Sequence, residues 1–216
     1  MALWKSIAPV AAAVGLMFSS HPAHSFSVPI PGVQEDVGRI DINLVPTEKL
    51  LLLSEANSSG RISYRGLTEA VRSARQKVRQ IQCLATAMYF EARGEPSRGQ
   101  FIVGRVILNR VASRYYPDDI CGVVYQNAHM TNACQFSFAC DGEPNRVREA
   151  QAWSQIKRRA QYLVDCDDKC SMAAMGRSDL WTSTHYHADY VSPNWAKKLQ
   201  RTGQVGRHIF YYTSSM

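Results

Sequence analysis

The sequence predicts an α+β fold that is mostly helical and carries a small antiparallel sheet. Long apolar stretches with helical spacing occur between residues 78 and 164, and they predict helices. Short aromatic-rich segments with alternating polarity, at 135–138, 181–190 and 208–212, predict strands. Because these elements follow one another without repeats or low-complexity tracts, we expect a single domain over residues 76–216 with one hydrophobic core.

The first two predicted helices flank a turn rich in helix breakers. One covers residues 78–89, where apolar residues recur every three or four positions, and it ends at Gly94 and Pro96. Ser97 is the expected N-cap of the next helix, at 98–114. That helix is apolar on most sides, so we expect it to lie at the centre of the fold.

The remaining helices are predicted from turn signals and amphipathic periodicity. A turn or cap at 117–119 precedes a short helix at 120–126. A long amphipathic helix is predicted at 145–164, and a short one at 196–201. Helices therefore dominate the predicted domain.

The first 25 residues have the pattern of a secretory signal peptide. Lys5 supplies a positive charge, residues 7–18 are apolar, and Ala23 and Ser25 are small residues at the specificity positions of a cleavage site. No later segment has the roughly 18 apolar residues that a membrane span needs. We expect an exported protein with no stable membrane span after cleavage; an uncleaved N-terminal anchor is the alternative.

Residues 26–75 are expected to be a connector that is partly disordered. The stretch begins with two prolines and no clear period, and it contains a loop signal at 57–60. It is too short and too interrupted to bury a core of its own.

The chain is basic, with a formal net charge of +7. This balance suits an anionic polymer such as cell wall, and nucleic acid is the other usual partner of a basic protein. The basic residues are dispersed and the export signal directs the chain away from nucleic acid, so no nucleic-acid partner is expected. A solvated surface without any partner is equally consistent with the charge.

Six cysteines in an exported chain predict disulfide bonds, although the count allows many pairings. Cys166 and Cys170 are the best local pair because they would close a small loop. Zinc is less favoured, since no cysteines have Cys-x-x-Cys spacing and the expected compartment is oxidising. The cysteines are Cys83, Cys121, Cys134, Cys140, Cys166 and Cys170.

Glu91 is the candidate catalytic residue. An apolar helix carries it to the turn at 93–96, and a carboxyl group that loses hydration has a raised pKa, as a general acid requires. The alternative is a helix cap or a partner of Arg93 or Arg98. Glu95 is a possible secondary acid, because glycoside cleavage usually uses two carboxyl groups, but the neighbouring arginines favour an ionised, structural Glu95.

A second cluster lies at residues 184–189. His185, His187 and Asp189 would share one face of a strand and could bind zinc. The competing interpretations are an aromatic, hydrogen-bonding wall for a sugar and a half-buried strand without a functional role.

A third cluster lies at residues 134–138. Ser137 lacks the Gly-x-Ser-x-Gly pattern of a nucleophile, and export argues against a free cysteine nucleophile. We interpret Gln135 and Ser137 as polar contacts to substrate, between buried Phe136 and Phe138. Asn109, in an apolar helix, is expected to satisfy buried backbone groups.

The segment MYFEARGEPSRGQFIVGRVILNRV resembles the signature of the SleB/CwlJ-type cell-wall hydrolases, the family of spore-cortex-lytic enzymes and their Gram-negative relatives. The similarity covers about residues 80–212, nearly the whole predicted domain. Further matching segments follow in order, at 121–126, 134–137, 184–188, 192–196 and 206–211.

The resemblance implies a fold similar to the lysozyme-like lytic transglycosylases and cleavage of peptidoglycan glycan strands between N-acetylmuramic acid and N-acetylglucosamine. It implies Glu91 as the acid that protonates the glycosidic oxygen. In transglycosylation the muramic acid's 6-hydroxyl attacks the anomeric carbon, and the same carboxylate accepts its proton. A second carboxylate is then unnecessary. No cofactor or metal is expected.

Flat aromatic faces stack on sugars and polar tips orient them, which gives a set of candidate glycan contacts. The candidates are Gln135, Ser137, Tyr186, His187, Trp195 and Tyr211.

We expect an enzyme of the periplasm or cell envelope of a Gram-negative bacterium, because cysteines beyond those of the spore enzymes argue against a spore role. Hydrolysis and transglycosylation are both open at this point. The alternatives to glycan cleavage are a metal-dependent peptidoglycan amidase that uses His185, His187 and Asp189, and a non-catalytic wall-binding protein.

Overall fold

The computed structural model describes residues 64–130, 134–142, 144–166 and 179–213. The expected signal peptide and most of the expected connector lie outside the described residues. The helices are α1 (Tyr64–Ala92), α2 (Ser97–Val111), α3 (Ile120–Val124) and α4 (Ala150–Asp165). Short 3-10 helices span Ser137–Ala139, Asp179–Thr182 and Asn194–Lys198, and the strands are β1 (His185–Ala188), β2 (Gln200–Val205) and β3 (His208–Tyr212).

Helix α1 is 29 residues long, and its second half forms the centre of the core. Leu84 and Met88 are fully buried, and the helix packs against α2, α3 and α4. The prediction placed its start at residue 78, whereas the helix begins at Tyr64. Its first turns are polar and exposed, with ion pairs such as Arg72 to Glu69, so they carry little of the apolar periodicity that marks a core helix.

Helix α2 is the predicted central helix, and Ile102 and Val106 on it are buried. The prediction that Ser97 caps it is wrong, because Pro96 occupies the N-cap position and Ser97 is the first helical residue. The Ser97 hydroxyl instead accepts a hydrogen bond from the Arg159 guanidinium of α4 at 2.8 Å. The serine thus joins two helices rather than beginning one.

A glycine lets α2 and α4 approach closely. A Cβ atom at Gly104 would lie 2.5 Å from the Leu163 side chain of α4 and 2.9 Å from the Met88 sulfur of α1. Leu163, with Ile156 and Ala160, forms the buried face of α4, as its periodicity predicts.

The expected turn at 117–119 does cap a helix, since the Asp119 carboxylate accepts from the backbone N–H of Gly122 at 2.8 Å. The strand predicted at 135–138 is wrong: the segment contains the 3-10 helix Ser137–Ala139. A disulfide between Cys134 and Cys140 closes this loop over six residues, which leaves no room for a paired strand. Phe136 and Phe138 are both buried, as expected.

The three strands form one antiparallel sheet in the order β1-β3-β2. The helix predicted at 196–201 is only partly correct, because a 3-10 helix ends at Lys198 and β2 begins at Gln200. Strand β2 is a polar edge strand without alternating apolar residues, so its sequence carries no strand signal. The predicted class, mostly helical with a small antiparallel sheet, is confirmed.

The disulfide prediction is confirmed for four cysteines. Cys83 of α1 is bonded to Cys121 of α3, with Cα atoms 5.3 Å apart, and Cys134 is bonded to Cys140. Cys170 lies outside the described residues, so its pairing with Cys166 stays a prediction. Within the described ranges, every helix is too short or too polar to cross a membrane.

Candidate active site

Glu91 lies in the last turn of α1 and is half-buried. The Tyr186 hydroxyl donates to its Oε2 at 3.0 Å. Loss of hydration raises the pKa of Glu91, although the Tyr186 hydrogen bond and the charge of Arg110 both act to lower it. The residue therefore has the property that the sequence predicted for a general acid, a carboxyl group that holds its proton above the usual range.

Tyr186 reaches Glu91 because it is on the face of the sheet that packs against the helices. It pairs with Phe210 across β1 and β3, and its ring lies 4.9 Å from that of His208. We call Tyr186, His208 and Phe210 the inner face. Burial, followed by the neighbouring Glu91, raises the pKa of Tyr186, so its hydroxyl stays protonated and donates to the carboxyl group.

Two consecutive residues of α2 hold the chain that leads into β1. Asn109 donates to the carbonyl oxygens of Trp181 at 2.9 Å and Ser183 at 2.8 Å, which confirms its predicted role toward buried backbone. Arg110 donates through Nε to the carbonyl oxygen of Thr184 at 2.8 Å. These bonds fix the entry of β1, two residues before Tyr186.

The loop closed by Cys134 and Cys140 lies against the same region. Its Phe138 ring stacks on that of Phe90, the neighbour of Glu91, with centroids 5.1 Å apart. Phe136 lies beneath the Arg110 guanidinium at 5.8 Å. On this loop Gln135 is half-buried and Ser137 is exposed.

The other predicted sugar contacts lie on the opposite side of the sheet. His187 stacks on Tyr211 with centroids 5.3 Å apart, and Trp195 lies edge-on to Tyr211 at 5.5 Å. His185 pairs with Tyr211 in the sheet and points the same way. We call His185, His187, Trp195 and Tyr211 the outer face. Of the predicted aromatic contacts, only Tyr186 is brought to Glu91.

The residues of the metal-site alternative are engaged with other partners. His187 pairs with the Tyr211 hydroxyl at 3.0 Å and the Ala188 carbonyl at 2.9 Å, and Asp189 accepts from Arg207 at 2.9 Å. Burial, helped by the charge of Arg110, lowers the pKa of His185 to about 4. Within the described residues no three His, Cys, Asp or Glu side chains are grouped as metal ligands.

The Glu95 side chain reaches from the turn after α1 to the turn between β2 and β3. Its Oε2 accepts from the backbone N–H of Arg207 at 3.0 Å, next to Gly206, whose φ is 57°. This contact is the structural use that the sequence favours for Glu95. A role as secondary acid stays a prediction.

Arg110 and His208 belong to the site but are not candidates from the sequence pattern. Arg110 is only 3% exposed. The sequence feature that could have indicated it is its position directly after Asn109 in a helix that is mostly apolar. His208 gave no such signal, because a histidine at the start of a strand is common on exposed and buried faces alike.

A sequence model of the cell wall hydrolase family matches residues 94–211. Over 135 residues, the chain is 29% identical to the spore cortex-lytic enzyme of Oceanobacillus iheyensis and 48% identical to that of Bacillus subtilis. Each alignment covers 60% of this chain but only 40% and 36% of the two relatives. Glu91 lies just before the residues that the family model matches.

Two solved structures are similar to this chain. One is the catalytic domain of the Bacillus cereus SleB protein, with 26% identity and a TM-score of 0.43, over 62% of this chain and 89% of that one. The other is the catalytic domain of a germination-specific lytic transglycosylase, SleB, from Bacillus anthracis, with 27% identity and the same TM-score, over 62% and 93%.

Proposed function

We propose that this chain, which belongs to the cell wall hydrolase family, is an exported enzyme that cleaves peptidoglycan. The bond is the glycan linkage between N-acetylmuramic acid and N-acetylglucosamine, and the reaction is lytic transglycosylation. The observation that carries this proposal is Glu91, a half-buried residue whose carboxyl group has a raised pKa and accepts a hydrogen bond from Tyr186.

Glu91 performs both proton transfers in this mechanism. The protonated carboxyl group donates its proton to the glycosidic oxygen as the bond from that oxygen to the anomeric carbon breaks. The muramic acid's 6-hydroxyl then attacks the anomeric carbon, and its proton passes to the Glu91 carboxylate. The product is a 1,6-anhydromuramyl end, and the acid is restored for the next cycle.

Tyr186 supports the carboxylate between the two steps. When Glu91 loses its proton, the hydrogen bond from the Tyr186 hydroxyl, at 3.0 Å, becomes charge-assisted. Such a bond is stronger than a neutral one. Desolvation raises the pKa of Glu91 and so favours its protonated form before the reaction, and this bond limits the cost of the ionised state.

We propose two kinds of glycan contact. We propose that Gln135 and Ser137 orient the sugars near Glu91, which is supported by the packing of their disulfide-closed loop on Phe90. The outer-face residues His187, Trp195 and Tyr211 would contact sugars only at a distance from the reacting bond, since the sheet separates them from Glu91.

Export to the periplasm or cell envelope is part of the proposal. The signal-like sequence at 1–25 and the disulfides support it, because disulfides form in oxidising compartments. A Gram-negative source is supported by the same cysteines, which exceed those expected of the spore enzymes.

Digestion of purified peptidoglycan by wild type and Glu91→Gln, followed by mass spectrometry, tests the proposal. We expect the substitution to reduce product formation by about 10²–10⁴-fold, as the loss of a general acid does. Glu95→Gln is the matched control, because it neutralises the neighbouring carboxylate at the hairpin, and it should cleave at a rate near wild type.

The products separate the possible reactions. Anhydromuramyl ends, one water lighter than reducing ends, support transglycosylation, whereas reducing ends would show hydrolysis instead. Free stem peptides would identify an amidase. A folded Glu91→Gln variant that cleaves at the wild-type rate would contradict the assignment of the catalytic acid.

A further inference from the structure

Arg110 is a buried cation at the meeting point of the segments that form the site. It is 3% exposed, and its Nη1 is buried and makes no hydrogen bond within the part of the chain that the structure describes. Its guanidinium carbon lies 5.2 Å from the Tyr116 ring centroid and 5.8 Å from that of Phe136. A charge in such surroundings costs several kcal/mol unless neighbouring groups compensate it, which makes Arg110 a candidate for a functional role.

The contacts of Arg110 connect it to Glu91 through β1. Its Nε holds the carbonyl oxygen of Thr184, and two residues further on Tyr186 donates to the Glu91 carboxyl group. The same guanidinium lies over Phe136 of the disulfide-closed loop. One side chain of α2 therefore contacts both β1 and the loop that flanks the carboxyl group.

We propose that Arg110 is a positioning residue for proton transfer at Glu91: it fixes the entry of β1 and places a buried positive charge close to the carboxyl group. This inference rests on the proposed function, in which Glu91 must give up a proton and take one back. A nearby cation stabilises the ionised form of Glu91, and this helps the carboxyl group to release its proton to the glycosidic oxygen.

The electrostatic surroundings define what the charge does. The groups that act on Glu91 are Tyr186 from β1 and Arg110 from α2, and both favour its ionised form against the effect of burial. The groups around Arg110 are Glu91, Tyr116, Tyr186 and His185. Removal of the Arg110 charge must therefore raise the pKa of Glu91 further.

Three variants separate charge from position. Arg110→Gln removes the charge but keeps an N–H donor for Thr184, and Arg110→Lys keeps the charge without the planar fork. Asn109→Ala is the matched control, because it loosens the same segment at Trp181 and Ser183 and leaves the charge in place. Arg110→Met is a second neutral variant that suits the apolar surroundings.

The measurement is the pH profile of kcat/KM on soluble glycan fragments, whose basic limb reports the pKa of the acid. We expect Arg110→Gln and Arg110→Met to move that limb upward by about one pH unit, the size of effect typical of a nearby opposite charge. Arg110→Lys should restore the wild-type limb. Asn109→Ala should lower kcat/KM without moving it.

A carboxyl titration by NMR gives a readout that does not need activity. The Glu91 signal is assigned by its loss in Glu91→Gln, and its pKa is compared between wild type and each Arg110 variant that retains a cooperative thermal transition. An unchanged Glu91 pKa and an unchanged limb in the neutral variants would overturn the inference. If Glu91→Gln proves fully active, the proposed function fails, while the titration still decides whether Arg110 controls this carboxyl group.

Discussion

The two faces of the small sheet use similar residues for different purposes. The Tyr186 hydroxyl on the inner face donates to the carboxyl group of Glu91, while the Tyr211 hydroxyl on the outer face pairs with His187. Both faces are aromatic and both are largely covered. Only the inner face, however, contacts Glu91, whose pKa is raised by desolvation. A raised pKa is what acid catalysis needs.

This difference shows that residue type alone does not locate the site on this sheet. Adjacent strand residues point to opposite faces, so Tyr186 and His187 are separated by the sheet although they are neighbours in sequence. A cluster of aromatic residues and histidines along one strand therefore contains one group beside Glu91 and another that is remote from it.

The largest expected difference comes from removing one hydroxyl from each face. Tyr186→Phe deletes the donor to Glu91, and we expect kcat/KM to fall by about 10–100-fold, since a hydrogen bond to a charged group contributes about 1.5–3 kcal/mol. Tyr211→Phe is the matched substitution on the outer face and should stay within about threefold of wild type. Equal losses in the two variants, at equal thermal stability, would mean that the outer face is part of the reacting centre.

A smaller effect is expected on stability, and it has the opposite sign to the effect on activity. The raised pKa of Glu91 means that the folded protein holds this proton more tightly than the unfolded chain, so stability falls as pH rises above the usual glutamate range. Glu91→Gln should have a higher Tm than wild type at pH 8, with a smaller difference at pH 4. Differential scanning fluorimetry measures this, and a Tm below wild type at pH 8 would contradict the inferred burial cost.

A further effect on stability concerns the outer face. Burial lowers the pKa of His185 to about 4, so the folded state binds this proton less tightly than the unfolded chain. Stability is therefore lost as pH falls from about 6.5 toward 4. His185→Gln should show a smaller decrease in Tm between pH 7.5 and 4.5 than wild type does. Burial also lowers the pKa of His208, which remains in this variant and contributes in the same direction. The decrease in Tm should therefore become smaller without disappearing.

The sequence was sufficient where one local pattern decided the structure. Apolar periodicity predicted α2 and α4. The backbone contacts of Asn109 were predicted because it is a polar residue in an apolar helix. The polar edge strand β2 could not be predicted in the same way, because β3 pairs with its backbone whatever side chains it carries. Phe136 and Phe138 alternate like a strand, but the Cys134–Cys140 closure, which local pattern does not reveal, determines the conformation.

The sequence indicates Glu91 as a candidate acid but does not indicate the side chains that surround it. The apolar approach to Glu91 is visible in the sequence, and burial of its carboxyl group agrees with it. The contributions of Tyr186 and Arg110 depend on contacts across 95 and 74 positions of the chain, which no local pattern encodes. Long-range packing brings Tyr186, one of several aromatic candidates, into contact with Glu91. It also brings Arg110 to the residue before β1, which the sequence pattern does not indicate.

The position of Glu91 at the C-terminal end of α1 has a consequence that is independent of its neighbours. Glu91 occupies the final turn of this 29-residue helix, and that turn contains no basic residue. The aligned peptide dipoles place the equivalent of about half a negative charge at a helix C-terminus. The backbone itself therefore disfavours a carboxylate at this position, so the helix that presents the acid also helps to keep it protonated.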